Sequence, residues 1–241
     1  MLSRTVSALV PVLGRLSVSS ETAGPVAPGS IVAANHSSLA DPGVVLAALH
    51  RLGTEPVVMA TAGLWRVPLL GRLLRGGGHI PVHRGTARAA AALDLAAEAL
   101  ADGRVVLIYG EGGLPKRRDP RDAEPGAFRT GLARLAAVSG APVVPLGQCG
   151  ARRLSSGSTA KQLAGFATAP LRRPALHVHL GAPLHLGGDT AEATAAAHRA
   201  VTAAWRTAEQ HLHGDAGHPG GPDRSPVTPR KHSPAGQPSA S

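Results

Sequence analysis

The chain has 241 residues, of which 43% are hydrophobic, and this length and composition are typical of one sizeable globular domain. A formal net charge of +10 indicates an anionic partner, for which nucleic acid, anionic lipid headgroups and phosphorylated substrates all qualify. Aromatic residues make up only 2% of the chain, which argues against binding nucleic acid by base stacking and favours lipid or phosphate. The single cysteine, Cys149, excludes an internal disulfide framework and a cysteine-based metal cluster.

The two ends of the chain differ from its middle. Residues 2–18 are apolar, but arginines and a proline interrupt them, so the sequence predicts no secretory signal and no membrane-spanning helix, which needs roughly 18 apolar residues. We expect a pair of helices within residues 1–20, which either lie in the membrane surface with their arginines at the headgroups or pack on the domain. Residues 214–241, rich in Gly, Pro and Ser, are predicted to be disordered, and this leaves residues 21–213 as the folded domain.

Between these ends, strand-like and helix-like segments alternate, which predicts an α/β domain. Strands are predicted over residues 30–35, 55–60, 78–84, 103–110, 141–147 and 174–181. Helices are predicted over residues 42–50, 85–103, 126–140 and 190–212. In open α/β sheets, functional groups collect on loops beyond the strand ends, and the conspicuous polar residues of this chain fall on such loops.

The first of these loops, NHSSLADP (residues 35–42), places His36 and Asp41 five positions apart. A helix turns by roughly 100° per residue, so the two side chains can meet only if the chain turns between them. Aspartate is a favoured N-cap and proline fits the first helical turn, so we expect a helix to start at Asp41, with His36 on a strand-to-helix turn. Two interpretations stay open: a histidine–carboxylate pair, or a capping aspartate beside a loop histidine.

The second loop follows the strand GHIPVHR, where Arg84 precedes a helix that is expected to start near Thr86. Backbone N–H groups at a helix N-terminus and a guanidinium favour the same anion, so this loop suits a phosphate. The alternative is that Arg84 is a surface arginine.

The third loop, YGEGGLPKRRDPR (residues 109–121), joins Glu111 to two glycines that let the backbone approach a ligand closely. A basic run follows, formed by Lys116, Arg117 and Arg118. A solvated loop with a surface carboxylate is the structural alternative. A fourth loop leaves the apolar strand APVVPLG at Gln148.

Four further histidines lie on predicted strands or at their ends. His177 and His179 alternate and face the same side, as half of a metal site would, but no convincing third ligand accompanies them, so a structural role is favoured. His79 and His83 flank a strand beside Arg84 and are interpreted as neighbours of the site and not as catalysts.

Taken in order, the four loops resemble the conserved blocks of the glycerolipid acyltransferase family with the HxxxxD motif, in particular the bacterial 1-acylglycerol-3-phosphate acyltransferases. The blocks are Asn35, His36 and Asp41 for N-H-x-x-x-x-D, GHIPVHR for a strand ending in arginine, IYGEGGLPKR for a Phe-Pro-Glu-Gly-Thr-Arg-like block, and VVPLG for a Val-Pro strand. The resemblance covers residues 28–190. One block alone is weak evidence, whereas four in order with matching spacing are specific.

The resemblance implies a single α/β domain with a mostly parallel central sheet flanked by helices, of the glycerol-3-phosphate acyltransferase type. It implies that His36 is the general base on the acceptor hydroxyl, which attacks the thioester of acyl-CoA or acyl carrier protein, and that Asp41 orients the imidazole. Ser37 and Ser38 are then turn residues. The residues carried over to the acceptor-phosphate site are Arg84, Glu111 and Gly112, with Lys116 or Arg117 as additions.

The expected function is acyl transfer to 1-acylglycerol-3-phosphate or a related lysophospholipid in phospholipid biosynthesis. The partners implied are the acyl donor, the lysophospholipid acceptor and an anionic membrane, which the chain would contact peripherally at its cytoplasmic face. No cofactor, no metal and no nucleic acid are expected.

Departures from the family pattern concentrate where phosphate should bind. Gly110 stands in place of the proline, Gly113 and Leu114 replace the threonine and arginine, and Thr61 replaces a lysine ahead of the second block. The alternatives are therefore a catalytically impaired lipid-binding protein of the same fold or an acyltransferase for a non-phosphorylated lipid. Retention of His36 and Asp41 favours an enzyme, because a binding module needs no positioned base.

Overall fold

The computed structural model describes residues 2–85, 88–115 and 121–214, and within them seven strands form one sheet. The strands are β1 (Arg15–Ser20), β2 (Ile31–Ala34), β3 (Val57–Thr61), β4 (Ile80–Val82), β5 (Val106–Tyr109), β6 (Val143–Cys149) and β7 (Ala175–Leu180). Their order across the sheet is β1-β7-β6-β2-β5-β3-β4, and every pair is parallel except β6 with β7. The predicted fold class is confirmed.

Helices cover both faces of the sheet, which leaves central strands such as β2 buried on both sides. They are α1 (Leu2–Leu13), α2 (Asp41–Arg51), α3 (Pro68–Gly76), α4 (Arg88–Ala101), α5 (Gly131–Ser139), α6 (Thr159–Arg172) and α7 (Thr190–Gly214). Short 3₁₀ helices lie at Ala62–Arg66 and Ala151–Arg153. Helices α1, α2 and α6 pack on one face, and α4, α5 and α7 pack on the other.

All six predicted strands are present, and a helix does begin at Asp41. Four of the strands lie within their predicted bounds, whereas β3 starts and ends later than predicted, at Val57 and Thr61, and β6 is shifted to Val143–Cys149. The helix expected over residues 126–140 begins only at Gly131. The reason is that Gly126 donates its N–H to Glu111 and Arg129 donates its N–H to the Gly110 carbonyl, which ties this segment to the loop after β5. Neither α3 nor α6 is among the predicted helices.

The expected pair of N-terminal helices is wrong in its second member, because residues 15–20 form the edge strand β1. This strand pairs in parallel with β7, and its Ser17 and Ser19 hydrogen-bond to His177 and His179. Helix α1 packs against α2 and buries Val10, while its Leu9 and Val12 are exposed. Within the described part of the chain, no helix has the length and apolarity needed to cross a membrane.

Two predictions about secondary structure and disorder fall outside the described residues. One is the disordered tail, of which only Gly214 is described, as the last residue of α7. The other is the helix start near Thr86, since α4 is described from Arg88 onward.

A change of partner along β3 shapes the site. Val57 and Val58 of this strand pair with β5, whereas Met59, Ala60 and Thr61 pair with β4. The carboxyl ends of β3 and β5 are therefore not paired with each other. This is the edge of the sheet where ligands bind in open α/β folds.

Candidate active site

The carboxylate of Asp41 organises the turn between β2 and α2. It accepts hydrogen bonds from His36 Nδ1 at 3.0 Å, from the Ser38 N–H at 2.8 Å and from the Ser38 hydroxyl at 2.6 Å. The N–H and the hydroxyl of Ser37 donate to the same carboxylate. These donors offset the cost of burying a carboxylate. The histidine–carboxylate interpretation is therefore the one observed, and Ala40, not Asp41, occupies the helix N-cap.

His36 lies between this carboxylate and a cavity. Its side chain is 13% exposed, whereas that of Asp41 is 0% exposed. The imidazole stacks on the Tyr109 ring, with the ring centres 4.4 Å apart. When Nδ1 donates its proton to Asp41, Nε2 carries the lone pair, and no other side chain of the described chain hydrogen-bonds to Nε2. The ring is thus arranged to accept a proton from a group in the cavity.

Strand β6 and the residues after it hold the same turn from the other side. Asn35 Nδ2 donates to the Gln148 carbonyl at 3.1 Å, and Asn35 Oδ1 accepts the Gln148 N–H at 2.8 Å. The Gln148 side chain donates to the Ser37 hydroxyl at 3.1 Å, and the buried guanidinium of Arg152 donates to the Ser37 carbonyl at 2.6 Å. These contacts explain the asparagine of the first block. No sequence motif marks Arg152, and only the fold brings it to the turn.

Glu111 connects the loop after β5 to the histidine. Its Oε2 accepts the His36 N–H at 2.5 Å, and its Oε1 accepts the Gly126 N–H at 2.8 Å. Burial raises the pKa of Glu111 to about 7, and the two N–H donors oppose that rise. These contacts make Glu111 a positioning residue for the His36 backbone, and its contact with substrate stays a prediction.

A cavity of about 1040 Å³ opens beside His36, at the upper end of the range typical of ligand sites. It extends along the carboxyl ends of β3 and β5, which are not paired with each other. Its lining includes residues from helices on both faces of the sheet. Most of the lining is apolar, from Leu2 and Val6 of α1 to Leu93 of α4. Among the described lining residues the titratable side chains are His36, Arg84, Tyr109, Arg129 and Arg134. None of the described lining residues is an Asp or a Glu.

Arg84 and Gly112 line this cavity together with His36, as expected of residues in one site, although their binding of substrate stays a prediction. Arg129 also lines the cavity, although the sequence analysis did not single it out. It lies in the segment FRTG (residues 128–131), which leads into α5. Lys116 and Arg117, the two additions to the phosphate site, lie outside the described residues.

His177 and His179 form a hydrogen-bonded ladder with the edge strand. Ser17 Oγ lies 2.7 Å from His177 Nδ1, and Ser19 Oγ lies 2.9 Å from His177 Nε2 and 2.8 Å from His179 Nδ1. His179 Nε2 lies 3.5 Å from Glu21. In the described ranges, no three potential ligands converge as a metal site requires. The contacts seen at these histidines are therefore structural.

His79 also has a structural contact. It is buried beside β4, and its Nδ1 accepts the Val58 N–H at 3.0 Å. Burial, with a smaller effect of Arg104, lowers the pKa of His79 and so favours the neutral imidazole that this contact needs. His83 is exposed at the end of the same strand and does not line the cavity.

Residues 15–148, more than half of the chain, match the family model described as Acyltransferase. The chain belongs to the acyltransferase family. The matched segment contains the His36–Asp41 pair, Arg84 and Glu111, and it ends at Gln148. Arg152 lies beyond it.

Among solved structures, this acyltransferase is similar to the 1-acyl-sn-glycerophosphate (LPA) acyltransferase PlsC from Thermotoga maritima. The two chains are 18% identical, 87% of this chain and 79% of that chain are covered, and the TM-score is 0.64. At this identity the likeness concerns the fold. No curated protein matches the chain.

Proposed function

We propose that the chain transfers a fatty acyl group from a thioester, acyl-CoA or acyl carrier protein, to the hydroxyl of 1-acylglycerol-3-phosphate or a related lysophospholipid in phospholipid biosynthesis. The observation that carries this proposal is the place of His36. The histidine is hydrogen-bonded to buried Asp41 and opens on a large apolar cavity whose described charged walls are arginines. Apolar walls with cations and no carboxylates suit an acyl chain attached to an anionic headgroup.

A single base, His36, accounts for both proton transfers of the reaction. His36 Nε2 takes the proton of the acceptor hydroxyl as its oxygen attacks the thioester carbonyl, and Asp41 stabilises the imidazolium that forms. The tetrahedral intermediate collapses with loss of the thiolate, which takes the proton from His36 and leaves as a free thiol. An ester remains on the acceptor. The hydroxyls of Ser37 and Ser38 already donate to Asp41, so the nucleophile in this scheme is the substrate's own oxygen.

Thiol release tests the proposal. Purified protein is given a long-chain acyl-CoA with and without lysophosphatidate, and the wild type is compared with His36→Ala and with His185→Ala, a matched control at an exposed loop histidine. We expect acceptor-dependent release that His36→Ala abolishes and His185→Ala leaves unchanged. The same assay is repeated with acyl carrier protein thioesters as donors and with other lysolipids as acceptors. If the protein binds lipid but releases no thiol under any of these conditions, a lipid-binding protein is favoured instead.

We further propose that the chain acts as a peripheral protein on an anionic membrane at the cytoplasmic face. Support comes from α1, whose Leu9 and Val12 are exposed while its Leu2 and Val6 line the cavity. Exposed apolar side chains on a helix are typical of contact with a lipid surface. Co-sedimentation with anionic liposomes should fall in the double variant Leu9→Ser/Val12→Ser, and undiminished binding would contradict this placement.

A further inference from the structure

Two arginines pack against adjacent glycines of the loop after β5. A Cβ on Gly112 would lie 2.7 Å from Arg129 Cδ and 3.1 Å from Arg129 Nε, and Gly112 has a φ of +65°. A Cβ on Gly113 would lie 3.3 Å from Arg84 Nη1. The two arginine side chains therefore lie against neighbouring residues of one loop, and both line the cavity beside His36.

The glycine at position 110, where the family pattern has proline, is explained by the packing of the same segment. A Cβ on Gly110 would lie 2.3 Å from the Phe128 ring, and the Gly110 N–H donates to the Ala34 carbonyl, so proline at this position would clash and lose a hydrogen bond. The Arg129 N–H donates to the Gly110 carbonyl at 2.9 Å, which fixes Arg129 beside the loop. The backbone of the segment before α5 is thus bound to the loop that contains the two glycines.

The two guanidiniums lack an anion in the described part of the chain. No salt bridge or side-chain hydrogen bond of Arg84 or Arg129 is found there, and the described cavity lining contains no carboxylate. Partial desolvation lowers the pKa of the guanidinium of Arg84, and the nearby charge of Arg129 lowers it further. Two like charges held close together are stabilised by an anion that contacts both.

Two other cations of the family pattern are missing from the same cavity. Thr61 and Leu114 stand where the pattern has lysine and arginine, and both line the cavity. The described arginines that line the cavity are Arg84, Arg129 and Arg134. Without Arg129, only Arg84 and Arg134 of these would remain.

We propose that Arg129 is a substrate-binding residue, and that Arg84 and Arg129 together grip the phosphate monoester of the acceptor. This inference rests on the proposed function, in which the acceptor is a lysophospholipid. It assigns the missing cationic role to the segment before α5, where the sequence pattern had pointed to Lys116 or Arg117. A phosphate monoester suits this arrangement because it offers oxygens to two guanidinium forks at once.

Steady-state kinetics with two acceptors test the inference. The acceptors are a short-chain lysophosphatidate and the corresponding monoacylglycerol, which lacks the phosphate, at saturating acyl-CoA. Arg129→Gln should raise the KM for lysophosphatidate by about 10- to 100-fold, with little change in kcat or in the KM for monoacylglycerol. The control Arg199→Gln, at an exposed arginine of α7, should change neither constant by more than about twofold.

Three outcomes would overturn it. One is an unchanged acceptor KM in Arg129→Gln. Another is a raised acceptor KM in Lys116→Gln or Arg117→Gln but not in Arg129→Gln. The third is a KM increase confined to acyl-CoA, which would assign Arg129 to the donor's phosphates.

A binding measurement separates this inference from the proposed function. Titration calorimetry with glycerol 3-phosphate needs no acyl donor and no turnover, so it reports on the anion site even if thiol release fails. Wild type should bind, and Arg129→Gln should bind about tenfold or more weakly while its thermal unfolding midpoint is unchanged, since Arg129 is exposed. Equal binding by both, or no binding by the wild type, would contradict the inference.

Discussion

On one side of the cavity, His36 and Asp41 are held by buried hydrogen bonds, whereas on the other side Arg84 and Arg129 are exposed and pair with no carboxylate of the described chain. Proton transfer depends on the angle and distance of one imidazole, so its surroundings must be rigid. Binding a phosphate depends on charge that long side chains can deliver from several backbone positions. We therefore expect that changes on the buried side lower kcat and that changes on the exposed side raise KM.

The largest effect is expected for Asp41→Asn. An amide cannot stabilise the imidazolium and favours the wrong tautomer of His36, so kcat should fall by about 10³- to 10⁴-fold, as in triads that lose their carboxylate. The KM for acceptor should change little. Thiol-release kinetics measure both, with Asp94→Asn at an exposed position of α4 as the matched control. If Asp41→Asn raised KM at constant kcat, the buried side of the cavity would not differ from the arginine side in its effect on the reaction.

Arg152→Met should lower both stability and kcat. The variant leaves the Ser37 carbonyl without its buried donor, which costs about 1–3 kcal/mol, and it loosens the turn that holds His36. Chemical denaturation and thiol release report the two effects. Arg152→Lys should recover part of the activity because it keeps a cationic donor, and Arg153→Met, its exposed neighbour, is the control. Unchanged kcat in a destabilised Arg152→Met would limit Arg152 to a structural role.

The activity should depend on pH through Glu111, whose pKa is raised to about 7 by burial. Ionised Glu111 accepts the N–H groups of His36 and Gly126, and protonation removes one acceptor, so activity should be lost as the pH falls through about 7. Glu111→Gln removes this titration. An acid limb of kcat/KM that is unchanged in Glu111→Gln would show that the titration of Glu111 does not control activity. An unchanged kcat in Glu111→Gln at pH 8 would contradict its positioning role.

The same raised pKa affects stability with the opposite sign. Between about pH 4.5 and pH 7 the folded chain binds more protons at this carboxyl than the unfolded chain does. The contribution of Glu111 to the free energy of unfolding should therefore decrease as the pH rises through this window, and Glu111→Gln should abolish that slope. Denaturation curves at several pH values measure it.

The smallest effect on activity is expected for Ser19→Ala, far from the cavity. The variant removes the hydroxyl between His177 and His179 and should lower the free energy of unfolding by about 1 kcal/mol with kcat within about twofold. Ser20→Ala is the control, because its hydroxyl contacts only exposed Thr22 in the described residues. A large loss of kcat would mean that the edge strand influences the site.

This ladder also has an expected pH dependence. Burial lowers the pKa of His179, although Glu21 acts in the opposite direction. The unfolded chain then binds more protons at this group, so its contribution to stability is present above the unfolded pKa of about 6.5 and is lost as the pH falls below it. Denaturation at pH 5 and pH 8 should differ less in His179→Gln than in the wild type, and an equal difference would contradict this.

The parts of the site that follow from sequence are those whose residue types are restricted by local geometry. The Asp-Pro pair predicts where α2 begins, and the five-residue spacing predicts that His36 and Asp41 meet only across a turn. The alternating strands and helices predict the sheet. Each of these depends on neighbours along the chain, which the sequence displays directly.

The parts that do not follow depend on contacts between distant residues. Nothing near Arg152 indicates that its guanidinium reaches Ser37, and nothing near Arg129 indicates that it lies over Gly112. Residues 15–20 were expected to belong to a second helix because residues 2–18 are apolar and interrupted by arginines and a proline. The strand they form depends on pairing with β7, where Ser17 and Ser19 contact His177 and His179. Long side chains bridge such distances without imposing a local pattern.

The most direct test of the central claim is to identify the product by mass spectrometry. Purified wild-type protein and His36→Gln are incubated with lysophosphatidate and palmitoyl-CoA, and the lipid fraction is analysed. We expect phosphatidate carrying the added palmitoyl chain from the wild type and none above background from His36→Gln. Phosphatidate formed equally by both proteins would contradict the assignment of His36 as the base, and none formed by either with any thioester donor would contradict acyl transfer to this acceptor.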